Sequence, residues 1–331
     1  MKVIAEQIYP EKYEVFQHIL ERDILSPHVG PALAHSASVA TETVDRLSED
    51  ESTPEGIQAS FFANAFRKRL QGEFSDLDNL YLLPDQGQQI QMFNFMAQKF
   101  PVVRYAQEIL NNAYLEDLKG QAEALIWDIG IGNGQQIVRL IDSWRKTGEP
   151  LPRRLTVIGL DPSESSLSQA EKALSEICGN TGIQLSFVSL PKTVEDLTAE
   201  DWLQLDALLS PMAGQWLANA SFALHHIQPV SLRDAFFSRL KSNRPARFGM
   251  IEPYADFLTD NLQQRFANAW HHYGLSFWAI DQIDAPAENK NLLKSVFFGR
   301  EILDVIAKDE GRIEQFETGE MWSERLQKAG F

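Results

Sequence analysis

Asp128, Gly130, Gly132 and Gly134 fall within a seven-residue stretch of WDIGIGNGQQ, directly after the apolar run ALIW. Glycine permits positive φ and lets a ligand approach the main chain closely. The helix predicted by GQQIVRLIDSWRK beyond the loop would turn unbonded N–H groups toward such a ligand. A tight strand-to-helix turn uses glycine in the same way without any ligand, so the triplet alone does not define a site. A second feature adds to it. VIGLDPS closes another apolar run with Asp161 and Pro162. A carboxylate there can accept hydrogen bonds from ribose hydroxyls or cap the following helix. The dinucleotide fingerprint G-x-G-x-x-G would put its third glycine at 135, which is Gln. TGEPLPRR also stretches the crossover beyond the ~20 residues of that fingerprint. Loop and acid together predict an adenosine-type cofactor.

Proton-transfer candidates come from the same rule of position. Ligands in open α/β sheets lie outside the C-terminal strand ends. That rim gathers Asp128, Asp161, the start of SLPKT with Ser189 and Leu190, the pair His225–His226, and Glu252. His225 is the preferred base, with His226 beside the acceptor or packed. Glu252 is a second base or a substrate anchor. Helix-start contacts are the ordinary alternative for each of these residues. Arg104 and Arg300 are candidates to bind an acidic acceptor, and Tyr105 and Tyr273 to line its pocket. Surface pairing and core packing would equally explain these four. His271 and His272 are neighbours on a helix, where side chains diverge by about 100°. No histidine or carboxylate set has metal-ligand spacing, so no metal is expected.

Elements that would hold these residues follow from periodicity. ALIWDIG, LTVIGLD, IQLSFVSL, QWLANASFAL and ARFGMIE are short apolar runs, as buried parallel strands are, and helical stretches separate them. Such alternation predicts a Rossmann-like, doubly wound α/β fold with a mainly parallel sheet and an all-helical cap subdomain. Residues 1–100 are expected to form the N-terminal part of the cap and 101–254 the α/β core. Residues 255–300 would return to the cap, and 301–331 would form the C-terminal part of the core. Apolar periodicity predicts helices in YEVFQHILERDIL, in IQASFFANAFRKRLQGEF and across 89–118, with a kink or restart at Pro101. SEDESTPEG reads as a loop.

Composition narrows the partners. A net charge of −16 opposes the counterion displacement that nucleic-acid binding needs, and the longest basic run is Arg67–Lys68–Arg69. No apolar stretch approaches the ~18 residues of a membrane span. One cysteine, Cys178, excludes an internal disulfide framework and fits a reducing cytoplasm.

Several blocks in order resemble the GRAS family. They are FPVVRYAQEILNNAYLEDL, ALIWDIGIGNGQQ, WLANASFALHHI, ARFGMIEP, LQQRFANAWHHYGLSFWAID and the closing FFGREILDVIAKDEGRIEQFETGEMWSERLQKAGF. The resemblance covers about residues 90–331. The G-x-G-x-G spacing is similar to the loop of S-adenosylmethionine (SAM) dependent methyltransferases of class I fold. By that likeness Asp128 and the glycine backbone would hold the methionine part of SAM or S-adenosylhomocysteine. Plant members often have an eroded loop, so the intact GIGNG resembles a bacterial-type member that retains the cofactor. The family pattern runs on beyond AGF, so its last strands are expected to be absent. The resemblance implies methyl transfer to a small molecule held between core and cap. The alternative is a non-catalytic regulatory or protein-interaction scaffold that keeps the cofactor fold.

Overall fold

The computed structural model describes residues 10–25, 40–47, 53–72, 95–96 and 99–331. The 73–74, 89–94 and 97–98 parts of the expected helices and the 48–52 part of the expected loop lie outside these residues. Chain contacts divide the protein into two units, 1–100 with 254–318, and 101–253 with 319–331.

The α/β unit is built on five parallel strands in the order β3-β2-β1-β4-β5. These are β1 (Glu123–Ile129), β2 (Arg154–Leu160), β3 (Gln184–Leu190), β4 (Leu217–Ser221) and β5 (Arg247–Ile251). Beyond their exposed first residues, Glu123 and Arg154, β1 and β2 are mostly apolar and buried, because both faces of the sheet are covered. The helices Pro101–Leu118, Gln135–Thr147 and Glu164–Thr181 bury one face with Tyr114, Ile137, Leu140, Leu167 and Leu174. Ala199–Leu209, Ser231–Ser242 and Gly319–Lys328 bury the other with Leu205, Phe236, Phe237 and Trp322. Strand order reverses between β1 and β4, and such a reversal opens a crevice at the C-terminal ends.

β4 is shorter than the expected QWLANASFAL. It stops at Ser221 because Phe222 takes a left-handed φ of 58° and gives its N–H to the Ile251 carbonyl, 2.7 Å away. The chain then winds into a tight turn at Leu224–His226.

The helical unit packs Pro10–Ile19, Pro54–Gln71 and Leu262–Asp281 around an aromatic interior of Phe16, Phe62, Phe66, Phe266 and Trp270. Thr53 caps the second of these helices by accepting from the Gly56 N–H at 3.0 Å. Residues 301–318, expected in the core, belong here instead. The fully buried Arg265 donates to the carbonyls of Val305 at 2.8 Å and Lys308 at 3.1 Å. It thereby satisfies the C-terminal end of the helix Gly299–Ala307. Asp304 then accepts the N–H groups of Ile313 and Glu314 at 2.7 and 2.8 Å, folding the following loop back on the same helix. Only 319–331 joins the sheet, through Trp322 on Phe237 and Phe331 on Phe248.

Candidate functional site

At the C-terminal end of β1 one register row crosses all five strands: Ser189, Gly159, Asp128, Asn219 and Gly249. The polar pair stands between two glycines, and each glycine makes room for a neighbour. A Cβ on Gly249 would lie 2.5 Å from the Tyr114 hydroxyl, and one on Gly159 would lie 3.1 Å from Ile131 of the glycine loop. Tyr114 therefore reaches across to Asn219 Oδ1 at 2.9 Å. Asn219 donates to Asp128 at 2.6 Å, Gln136 donates to Asn219 at 3.1 Å, and Ser221 donates to Gln136 at 2.7 Å. This buried chain of side chains joins the first turn of the Gln135–Thr147 helix to the end of β4. Sequence reasoning missed Tyr114, Gln136, Asn219 and Ser221. The signal for Asn219 was there, a polar residue at the centre of WLANAS, because buried amides need partners. Tyr114 carried none.

Burial pushes the Asp128 carboxyl up to about 7; the Asn219 bond opposes the shift and the nearby Asp161 charge adds to it. Asp161 is also raised, by burial, against the pull of two main-chain N–H groups. Those groups belong to Ser163, at 2.9 Å, and Gly132, at 3.0 Å. Asp161 thus ties the glycine loop to the end of β2, with unused lone pairs on both oxygens.

The three glycines have separate reasons. All have positive φ: 74° at Gly130, 52° at Gly132 and 74° at Gly134. A Cβ at Gly130 would stand 2.5 Å from that of Ala223, and one at Gly134 would stand 3.1 Å from Ala170, whereas at Gly132 it would meet nothing within 4 Å. Gly130 and Gly134 serve packing, and Gly132 faces open space. Ser189 is exposed and Leu190 buried at the end of β3, where the Leu190 carbonyl accepts the Asp161 N–H at 3.2 Å. Pro162 is exposed beside it. Asp128, the glycines, Asp161, Ser189 and Leu190 therefore lie along adjacent ends of β1, β2 and β3.

His225 and Glu252 follow β4 and β5 and meet directly, with His225 Nδ1 2.5 Å from Glu252 Oε2. Glu252 Oε1 accepts the N–H groups of Ala223 at 3.0 Å and Leu224 at 2.8 Å. With both oxygens engaged, Glu252 holds the turn and the ring, beside the role of second base or substrate anchor that its position suggested. His226 lies in the same turn, its ring 3.9 Å from that of His225. Arg233 is fully buried and donates to the His225 carbonyl at 2.5 Å and the Ile227 carbonyl at 3.2 Å, a support that sequence did not reveal.

Arg104 and Tyr105 are exposed in the first turns of Pro101–Leu118, where Arg104 pairs with Glu108 at 3.7 Å and lies over the Tyr105 ring. Tyr273 and Arg300 belong to the helical unit. Tyr273 is wholly buried among Phe257, Phe298 and His272, which makes it core rather than pocket lining. Burial, and then the charges of Glu301 and Glu314, hold its hydroxyl well above the ordinary tyrosine value.

Sheet order, glycine loop and strand-end acid define the class, a Rossmann-like α/β protein with its candidate site at the strand reversal. The chain belongs to the GRAS domain family, whose pattern matches residues 32–331. It is 25% identical over 301 residues to DELLA protein RGL3 of Arabidopsis thaliana, covering 89% of this chain and 55% of that protein. It is also 25% identical over 248 residues to Scarecrow-like transcription factor PAT1 of the same plant, covering 70% and 48%. The chain spans about half the length of these curated relatives. The crystal structure of SCL7 from Oryza sativa shares the fold, with a TM-score of 0.77 at 21% identity over 97% of this chain and 85% of that one. No described helix is long and apolar enough to cross a membrane.

Proposed function

We propose that this chain is a regulatory, protein-binding member of the GRAS family whose α/β unit keeps a working site for SAM or S-adenosylhomocysteine. Its likeness to a relative named as a transcription factor, and to DELLA and Scarecrow-like proteins, carries the regulatory half. The family likeness thus favours a regulator over the enzyme expected from the loop alone. The cofactor half rests on Gly132, which faces open space beside Asp161 in an intact loop. Membership of a bacterial type and residence in the cytoplasm remain part of the reading, on the intact loop and the single cysteine.

Calorimetry tests the cofactor half. S-adenosylhomocysteine should bind the folded chain at about micromolar affinity, a common range for preformed pockets. Affinity capture from cells of the source tests the regulatory half: a stoichiometric protein partner should come down with the chain. Absence of any heat would remove the first half, and absence of a saturable partner the second.

Methyl transfer to a small acceptor is the second reading, favoured by the His225–Glu252 pair. A carboxylate on Nδ1 fixes the neutral ring with its lone pair on Nε2, the arrangement of a general base. The methyl group of SAM is already activated, so the residues would align an acceptor and take its proton. Isotopically labelled SAM offered to small-molecule extracts, with and without His225→Ala, tests this. Label transfer equal in both proteins would dismiss His225 as the base.

A further inference from the structure

We propose that the glycine loop selects a phosphate-free adenosyl ligand and rejects nucleotides, with Asp161 as the selecting residue. The inference rests on the adenosyl-site reading and adds a specificity to it. Loops that cradle phosphates turn successive main-chain N–H groups outward, where they converge on the anion. This loop does the reverse. The N–H groups of Gly130 and Ile131 both go to the Leu160 carbonyl, at 2.8 and 3.2 Å. That of Gly132 goes to Asp161 Oδ2 at 3.0 Å, and that of Gly134 goes to the Ile131 carbonyl at 3.0 Å. Four of the five N–H groups between 130 and 134 are therefore consumed inside the protein.

Charge acts in the same direction. Where a phosphate loop has donors, this one has a carboxylate bonded to its middle glycine, and Asp128 lies just behind on β1. The helix Gln135–Thr147 offers about half a positive charge at its N-terminus, without a side-chain cap at Gly134. Asp161, bonded to the loop itself, opposes it. What remains for a ligand is the bare face of Gly132, where a Cβ would meet nothing within 4 Å. Such a surface accepts a neutral sugar or thioether edge by shape. It offers a phosphate no donor of its own, since the Gly132 N–H is held by Asp161.

The test is calorimetry on the full chain with S-adenosylhomocysteine, adenosine, 5′-AMP and NAD. Adenosine and S-adenosylhomocysteine should bind, and 5′-AMP should bind at least about 30-fold more weakly than adenosine, since like charges brought together cost several kcal/mol. Asp161→Asn, checked for folding by circular dichroism, should narrow that ratio to less than about fivefold. Asp128→Asn supplies the same comparison with the loop tie intact. Equal or tighter binding of 5′-AMP by the wild type overturns the inference while leaving the adenosyl site standing. An unchanged ratio in both variants also overturns it. If no adenosine compound binds the folded chain, the adenosyl reading fails and the inference falls with it.

Discussion

Glu252 Oε2 lies 2.5 Å from Nδ1 of His225, while Glu252 Oε1 accepts the two N–H groups that open the turn carrying that histidine. One carboxylate thus sets the position of the turn and the tautomer of the ring. The turn needs such a holder, since Phe222 before it sits at a φ of 58°, a conformation that costs a bulky residue on the order of 1–2 kcal/mol.

The neutral His225 ring should carry its proton on Nδ1. In Glu252→Gln the amide oxygen can keep the main-chain bonds while its NH₂ donates to Nδ1, which should move the proton to Nε2. Long-range ¹H–¹⁵N NMR of the imidazole distinguishes the two forms. A wild-type ring protonated on Nε2 would contradict the assigned role of Glu252.

Glu252→Ala should lower stability by about 2–4 kcal/mol, because it leaves two main-chain N–H groups and a histidine nitrogen without their acceptor. Urea denaturation measures the change. A loss below about 1 kcal/mol would mean that water replaces the carboxylate and that the turn does not depend on it.

Alanine at two glycines should separate packing from ligand space. Gly130→Ala must push Ala223 away from a 2.5 Å contact and should cost at least about 2–3 kcal/mol. Gly132→Ala meets no atom of the protein, so its cost is the left-handed backbone alone, about 1–2 kcal/mol. The milder variant should nevertheless lose S-adenosylhomocysteine binding. Calorimetry showing wild-type affinity in Gly132→Ala would take the loop out of the site.

How far these roles were legible depends on range along the chain. The strand runs and glycine loop are local patterns, and VIGLDPS marks Asp161 by ending an apolar run. Glycines 159 and 249 looked like ordinary strand residues, because their reasons are Phe187 with Ile131 and Leu110 with Tyr114, which only the tertiary packing brings alongside. Glu252 read as a free acid because nothing local to IEP reveals that its partners are Ala223, Leu224 and His225 on the preceding strand's exit. Tyr273 read as a pocket residue because nothing local reveals Phe257 and Phe298, distant in sequence, which bury it. The misplacement of 301–318 has a similar origin: Arg265, far away in sequence, caps that helix.

Trp322 should behave as a residue of the α/β unit. Its ring packs edge-on against Phe237 and lies 5.3 Å from the Arg233 guanidinium, which holds the His225 carbonyl. Trp322→Ala should cost about 3–5 kcal/mol. It should also increase hydrogen exchange at the amides of residues 224–227 more than at those of β2. Equal exchange in both places would show that the tryptophan supports the sheet generally and not the histidine turn.

Asp128 should make stability fall as pH rises toward neutrality. Its folded value is about 7, against about 3.9 in an unfolded chain. The folded state therefore holds the extra proton between those values. The associated stability is fully present below about pH 4 and is lost progressively up to about pH 7, beyond which the contribution is flat. Asp304, pushed up to about 6 mainly by burial, adds a loss of the same sign, so the wild-type curve alone cannot isolate Asp128. The difference between Asp128→Asn and wild type can. Asparagine keeps an oxygen for the Asn219 donor and cannot ionise. The variant should be more stable than wild type by on the order of 2–4 kcal/mol at pH 8, with the advantage shrinking toward pH 4. Urea denaturation at pH 4, 6 and 8 measures it. A difference that does not change with pH would mean that Asp128 is ionised throughout this range, with its charge met by the Asn219 bond.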